Sequence, residues 1–187
     1  KYQRKVLLEA IDEYPLISVS RVPLNFSKNM IDTGIKGPDN IYRQMLNGAK
    51  IAETDYIAIA EDDVLYHKAH FNFYRPDKNT FAYNQNRFAL FNWGTPTYSW
   101  RNRKSNCSLI APRGLMIEAL EERFAKYPKS IPSKLVGELG REKVDRHLGV
   151  TIRESVEVFS EISIIQINHR DASDSTQIRR SKNLGPI

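Results

Sequence analysis

Three consecutive carboxylates, Glu61, Asp62 and Asp63, follow directly after the apolar run 56–60. Such a run predicts a strand that is buried on both faces, and ligands of open α/β sheets gather beyond the carboxyl ends of strands. Adjacent carboxylates there need a counter-charge, which Mg²⁺ or Mn²⁺ supplies when phosphate oxygens complete its shell. The alternative is a solvated turn or a helix N-cap, since both favour acidic residues. The motif alone leaves both interpretations open.

Histidine is the other residue type that could complete a metal site. His67 and His70 lie shortly after the acids, although a lone histidine has many structural roles. His169 is the better candidate, because it follows the predicted final strand, 161–167, where the returning chain could bring it against Asp63.

A general base would be needed for proton abstraction, and the charged segment 136–149 offers three candidates: Glu138, Glu142 and Asp145. We interpret this segment as a loop that runs into a short helix. Carboxylates on a charged helix are usually solvated, so the alternative for each of them is a surface position.

Aromatic and basic residues alternate between positions 71 and 104. Aromatic faces combined with Arg or Lys can stack on and hold a base or a sugar. The alternative is that most of the rings form the core. The residues that we expect at an exposed acceptor surface are Trp93, Tyr98, Trp100 and Arg101.

Length and composition limit the class of protein. A chain of 187 residues fits one domain, and its net charge of +6 favours polyanionic partners such as nucleic acid or nucleotides. No apolar run approaches the roughly 18 residues of a membrane span, and no segment resembles a signal peptide, so we expect a cytoplasmic protein that does not bind membranes. Cys107 is the one cysteine, which excludes an internal disulfide and predicts a buried apolar position.

The elements that must position these residues follow from periodicity. A helix is predicted at the start of the chain, then a strand over 16–20, a polar surface loop over 21–39 and a helix behind Asn40. Strand, helix and strand in this order predict a parallel crossover between 16–20 and 56–60. A further helix is predicted between Pro112 and Pro128. No glycine-rich phosphate loop, paired cysteines or nucleophile elbow is present.

The helix 40–50 and the following segment 54–66 resemble the corresponding part of the GT-A-fold, nucleotide-sugar-dependent glycosyltransferases. This resemblance implies an α/β fold with a mixed, mostly parallel sheet flanked by helices. It also implies that Glu61 and Asp63 occupy the two acidic positions of an Asp-x-Asp motif, with Asp63 as the main ligand of Mn²⁺ or Mg²⁺. Asp62, Gln44 and Gly48 would be neighbours of the nucleotide sugar, most simply a UDP-sugar.

A narrower resemblance rests on Tyr42-Arg43-Gln44, the acidic segment, the Asn-Arg-Phe and Asn-Trp pairs, and residues 109–113. These are similar to a phage-associated branch, the TET-associated glycosyltransferases, some of which glycosylate 5-hydroxymethylcytosine in DNA. The likeness runs from Leu16 to about Arg180. It implies that His169 is a third metal ligand and that Arg179 and Arg180 contact the diphosphate.

Two features depart from this family. The first strand of the fold, which helps to bind the nucleotide base, should precede Lys1. The first acidic position holds Glu61 rather than Asp, which lengthens that side chain.

The sequence therefore predicts metal-dependent transfer of a sugar from a nucleotide diphosphate sugar to a hydroxyl, with 5-hydroxymethylcytosine in phage DNA as the expected acceptor. Two alternatives remain open: a non-catalytic, basic nucleic-acid-binding domain, and a glycosyltransferase whose acceptor is a glycan or a protein.

Overall fold

The computed structural model describes residues 2–34, 36–91, 96–168 and the backbone of 184–186. The helices in these ranges are α1 (Tyr2–Ile11), α2 (Asn40–Ile51), α3 (Lys68–Asn72), α4 (Arg113–Lys126) and α5 (Glu142–Leu148). The strands are β1 (Ile17–Ser20), β2 (Lys28–Ile31), β3 (Tyr56–Ala58), β4 (Val64–Leu65), β5 (Thr80–Asn84), β6 (Arg87–Phe91), β7 (Thr97–Trp100), β8 (Leu109–Pro112), β9 (Glu154–Val158), β10 (Ile164–Asn168) and β11 (Leu184–Pro186).

These strands form three sheets. One has the order β3-β8-β5-β9, a second has the order β11-β7-β6-β10-β4, and β1 pairs with β2. Helices flank the mixed sheets, so the chain is a single α/β domain. No helix in the described part of the chain is long and apolar enough to cross a bilayer.

The prediction that the sheet is mostly parallel is wrong. Within the described residues β1–β2, β5–β9 and β6–β10 pair in parallel, whereas the other five pairings are antiparallel. One pair has a local reason: β6 and β7 are joined by residues 92–96 alone, and a connection this short favours an antiparallel pair. The other four antiparallel pairs join strands that are distant along the chain, so no local pattern specifies their direction.

Two apolar clusters lie on opposite faces of β3. The first, which we call the α2 cluster, joins α2 and α4 to β5 and β8, and Ile57 and Ile59 pack against it. The second, the α1 cluster, joins α1 to the region around β4, α3 and β10, and Ala58 packs against it. Because successive strand residues point to opposite faces, both helical layers are anchored on the same short strand.

The expectations for the first half of the sheet need two corrections. Residues 56–58 are only half-buried rather than buried on both faces, and β3 has β8 as its neighbour, not β1. The prediction of a parallel crossover from 16–20 to 56–60 stays untested, but the two strands are not direct neighbours within the described residues. Instead, the cavity described below separates β1 from β3.

The predicted loop 21–39 contains strand β2, which pairs in parallel with β1. Its pairing is supported by polar side chains: the side-chain amide of Asn29 donates from Nδ2 to Ser18 O at 3.1 Å, to Ser18 Oγ at 2.8 Å and to Ser20 Oγ at 2.8 Å. A strand held by such contacts lacks the apolar alternation by which strands are predicted.

The other predicted elements are confirmed. α1, α2 and α4 lie where the periodicity placed them, and the charged segment 136–149 ends in α5. This helix stops at Gly149, whose φ of 64° is the left-handed conformation that glycine accommodates most easily. Cys107 is fully buried. The final strand was predicted at 161–167 and is β10.

Candidate functional site

A cavity of about 1210 Å³ lies between β1, α2 and β3 and extends to the three acids. Its wall includes five residues that the sequence predicted as donor-binding or metal-binding: Gln44, Gly48, Glu61, Asp62 and Asp63. Helix α2 and the strand-end turn therefore contribute to one concave surface. Its volume is slightly above the range of about 300–1,000 Å³ that ligand sites of proteins occupy.

The Gln44 side chain is held by Asp32, which the sequence analysis missed. Asp32 follows β2, is buried, and accepts hydrogen bonds from Gln44 Nε2 at 2.8 Å, Asn40 Nδ2 at 3.0 Å and the Gly34 amide at 2.8 Å. The hydrogen bond from Asn40 is the largest of the effects that lower the pKa of Asp32. This carboxylate therefore stays ionised and fixes the start of α2.

The backbone of the acidic turn is fixed by two hydrogen bonds to distant elements. Tyr66 Oη accepts from the Glu61 amide at 3.1 Å and donates to Cys107 O at 2.9 Å, and the Ile167 amide donates to Asp63 O at 2.7 Å. The end of β10 therefore lies beside Asp63. The prediction for His169 required the chain after the final strand to return close to Asp63, and β10 does so. His169 itself lies outside the described residues.

The carboxyl group of Glu61 is perturbed by its surroundings. Burial, together with the negative charges of Asp63 and Asp62, raises its pKa to about 7, although the positive charge of Arg87 acts in the opposite direction. A bound divalent cation would stabilise the ionised carboxylate of Glu61 and would so offset the effects of burial and of the neighbouring negative charges on its pKa. Carboxylate oxygens also suit Mg²⁺ and Mn²⁺, so the residues present fit such an ion.

The described residues contain no cluster of three or more His, Cys, Asp or Glu side chains arranged to hold a metal. Two carboxylates, Glu61 and Asp63, are nevertheless the usual protein contribution where substrate phosphates complete the shell. The metal-ligand role of Asp63 and His169 stays a prediction.

Three arginines, Arg87, Arg101 and Arg103, lie close to one another, and Arg87 is within electrostatic reach of Glu61. Arg87 is fully buried, and its guanidinium donates to Gln166 Oε1 at 2.6 Å and to Arg103 O at 3.2 Å. Burial, followed by the charges of Arg103 and Arg87, lowers the pKa of Arg101 to about 10. Only Arg101 was assigned a binding role from the sequence. Arg87 was visible only as part of an alternating pattern, which does not show that it lies within electrostatic reach of Glu61.

The aromatic segment divides into core and surface residues. Phe71, Phe81, Tyr83 and Phe91 are buried, which confirms the core interpretation for these rings. Tyr98 and Trp100 remain 40% and 39% exposed on β7, as predicted. Trp93 lies outside the described residues.

The three predicted general bases lie in different environments, and none lines the cavity. Asp145 is buried and accepts from Arg123 Nη2 at 2.8 Å, while Glu142 forms a solvated ion pair with Arg146. Glu138 forms an ion pair with Arg141 at 3.1 Å. The charges of Glu138 and of Glu61 both act on the Tyr42 hydroxyl, so both carboxylates lie within electrostatic reach of it. Of the three, Glu138 is thus connected most closely to the acidic turn. Catalysis by any of them stays a prediction.

His67 and His70 have structural contacts. The His67 ring accepts from the Ala69 amide at 3.2 Å at the start of α3. His70 is completely buried, and its Nδ1 accepts from Asn84 Nδ2 at 3.1 Å. Neither residue lines the cavity. Arg179 and Arg180, the predicted diphosphate contacts, lie outside the described residues.

Acid will destabilise the protein through His70. Burial lowers the pKa of His70 from 6.5 to about 4, so between these values the unfolded state binds the proton more readily. Stability from this group is complete above pH 6.5 and is lost as pH falls toward 4, by about 3 kcal/mol in all. Urea unfolding of the wild type and the His70→Gln variant from pH 4.5 to 7 measures the effect. The unfolding free energy of the variant should change less with pH over this range than that of the wild type. The same pH dependence in both proteins would contradict the assignment of the effect to His70.

Comparison of the chain with models of known protein families, with curated proteins and with solved structures gives no match. The case for a function therefore rests on the residues and their arrangement.

Proposed function

We propose that the protein is a metal-dependent glycosyltransferase that moves a sugar from a nucleotide diphosphate sugar to a hydroxyl group. The observation that carries the proposal is the shared cavity: Gln44 and Gly48 of α2 line it together with Glu61, Asp62 and Asp63. A nucleotide whose diphosphate reaches the acids would contact both elements at once.

The two outer acids have distinct roles in this proposal. Asp63 is the principal ligand of Mn²⁺ or Mg²⁺, and Glu61 is the second carboxylate, whose pKa is raised first by burial and then by the negative charges of Asp63 and Asp62. When bound, the metal ion offsets the charge that develops on the leaving diphosphate. Gln44, held by Asp32, orients the nucleotide end of the donor.

The proposed acceptor is 5-hydroxymethylcytosine in DNA, which the resemblance of the sequence to the TET-associated glycosyltransferases implies. Tyr98 and Trp100 expose aromatic side chains of the kind that stack on unstacked bases, whereas the guanidinium of Arg101, the next residue, is partly buried and lies 5.2 Å from the centre of the Phe91 ring. Arg87 links this strand to the acids. Its backbone oxygen accepts a hydrogen bond from the Arg101 amide at 2.8 Å, and its guanidinium interacts electrostatically with Glu61. Glu138 is the proposed base for the acceptor hydroxyl.

Calorimetric titration of UDP-glucose tests the donor site. We expect binding in the presence of Mn²⁺ and its loss when a chelator replaces the metal, because the diphosphate needs the ion to approach three carboxylates. Equal binding with metal and with chelator would contradict the metal-dependent site. Metal-independent affinity for DNA with no affinity for UDP, GDP or other nucleotide diphosphates would favour the non-catalytic binding domain instead. A donor site without affinity for duplex DNA would favour a glycan or protein acceptor.

A further inference from the structure

Arg87 is a buried cation without an ionic partner. Its side chain is fully buried, and no carboxylate lies within ion-pair distance of it in the part of the chain that the structure describes. The guanidinium donates to two neutral oxygens, Gln166 Oε1 at 2.6 Å and Arg103 O at 3.2 Å, while Nε has no hydrogen-bond partner among the described residues. Arginine stays protonated in proteins, so a positive charge is held here away from water.

The strand β10 places this charge beside the acidic turn. β10 lies between β6, which begins at Arg87, and β4, which begins directly after Asp63. Gln166 of β10 accepts from Arg87 and is paired with Val64. The next residue, Ile167, donates its amide to Asp63 O at 2.7 Å. One strand therefore connects the guanidinium to the backbone of the proposed metal ligand.

Glu61 supplies negative charge near Arg87. Cys107 and Tyr66 also lie within electrostatic reach of the guanidinium, but burial raises the pKa of both groups, to about 11 for Cys107, so neither is ionised near neutral pH. Glu61 lines the cavity, whereas Arg87 does not. A ligand at the acids would therefore be acted on by the charge of Arg87 without touching its side chain.

A fixed positive charge acts in opposite directions on cations and anions. Beside the acidic turn it repels a bare Mn²⁺ or Mg²⁺ ion, whereas it attracts a nucleotide diphosphate, which carries more negative charge than one divalent ion neutralises. Because Arg87 is fully buried, water and salt screen both effects less than they screen those of a surface charge.

We propose that Arg87 determines which form of ligand the acidic turn binds: its buried charge weakens the binding of the bare metal ion and strengthens the binding of the nucleotide diphosphate to the metal-loaded site. The inference rests on the proposed function and adds a residue that determines specificity within the same site. Arg87 favours the metal–diphosphate complex over the ion alone, although it contacts neither.

The Arg87→Met variant tests the two effects separately. Methionine keeps an unbranched apolar side chain and removes the charge. Free Mn²⁺, measured by electron paramagnetic resonance at pH 8 to limit competition by protons, should bind at least about threefold more tightly than to the wild type. UDP, titrated calorimetrically in saturating Mn²⁺, should bind at least about threefold more weakly. Loss of a merely structural role would weaken both.

Three further variants separate charge from packing. Arg87→Gln removes the same charge but keeps an amide donor, so it should show the same opposite changes, and it decides the question if Arg87→Met fails to fold. Gln166→Met removes a hydrogen bond of the guanidinium and keeps the charge, so it should not shift the two affinities in opposite directions. Arg103→Met removes an exposed, screened charge of the same cluster and should have smaller effects than Arg87→Met.

The failure of this inference differs from failure of the proposed function. Unchanged affinities in a folded Arg87 variant, or changes of both affinities in the same direction, would overturn the role of Arg87 and leave the metal site standing. A wild type that binds neither Mn²⁺ nor UDP would contradict the proposed function and this inference together.

Discussion

Replacing Asp63 with Asn will abolish the Mn²⁺-dependent part of UDP-glucose binding. The substitution keeps the shape of the side chain but removes the charge of the proposed principal ligand. We expect affinity in Mn²⁺ to fall about 100-fold or more, equivalent to about 2.7 kcal/mol. Calorimetric titration with metal and with chelator measures it.

Asp55→Asn is the matched control for this variant. Asp55 precedes the same strand, is exposed and also lines the cavity, but it lies at the opposite end of the strand from the acids. It should leave Mn²⁺-dependent binding unchanged. Undiminished binding by the Asp63 variant would remove Asp63 from the proposed metal site, whereas equal losses in both variants would point to a general electrostatic effect.

Replacing Arg123 with Met will cost about 3 to 5 kcal/mol of unfolding free energy. Arg123 and Asp145 are both almost completely buried, and their side chains pair at 2.8 Å. Removing the arginine leaves a buried carboxylate without its partner, and it also removes donors to Gly137 O at 2.7 Å and Glu138 O at 3.2 Å. Urea unfolding should show a lower midpoint with little change in slope.

The chain provides a contrasting pair on the same helix as Asp145. Arg146 and Glu142 form an ion pair whose side chains are 65% and 67% exposed. Arg146→Met should change the unfolding free energy by at most about 1 kcal/mol, because water screens this pair. The double variant Arg123→Met, Asp145→Leu should recover part of the loss, since no charge is then left buried. Similar losses for Arg123→Met and Arg146→Met would contradict the argument.

The sequence predicted the elements whose patterns are local. α1, α2 and α4 carry clear apolar periodicity, and the acids directly follow an apolar run, so both are visible without knowledge of distant contacts. β2 was missed because its partners are polar: Asn29 is held by Ser18 and Ser20 rather than by an apolar face. β3 was predicted to be buried, but its burial depends on neighbours that no local pattern specifies.

The candidate site shows the same division. Gln44 and Gly48 were predicted beside the acids only from the family resemblance, and the structure places them in the same cavity wall. Asp32 and Tyr66 were missed, since each acts through residues that the fold alone brings close: Gln44 for Asp32 and Cys107 for Tyr66. Electrostatic proximity between Arg87 and Glu61 likewise depends on the packing of separate sheets.

The polar pairing of β1 with β2 determines which substitutions the protein can tolerate. The side-chain amide of Asn29 donates to Ser18 and Ser20 together, and a shift of one residue in the register of β2 against β1 would break both hydrogen bonds. The same slip would move Asp32, which follows β2 and holds Gln44 in the cavity wall. In a mutational scan scored by ligand binding, Asn29 would therefore rank with the residues of the cavity wall, although it contributes no chemistry of its own.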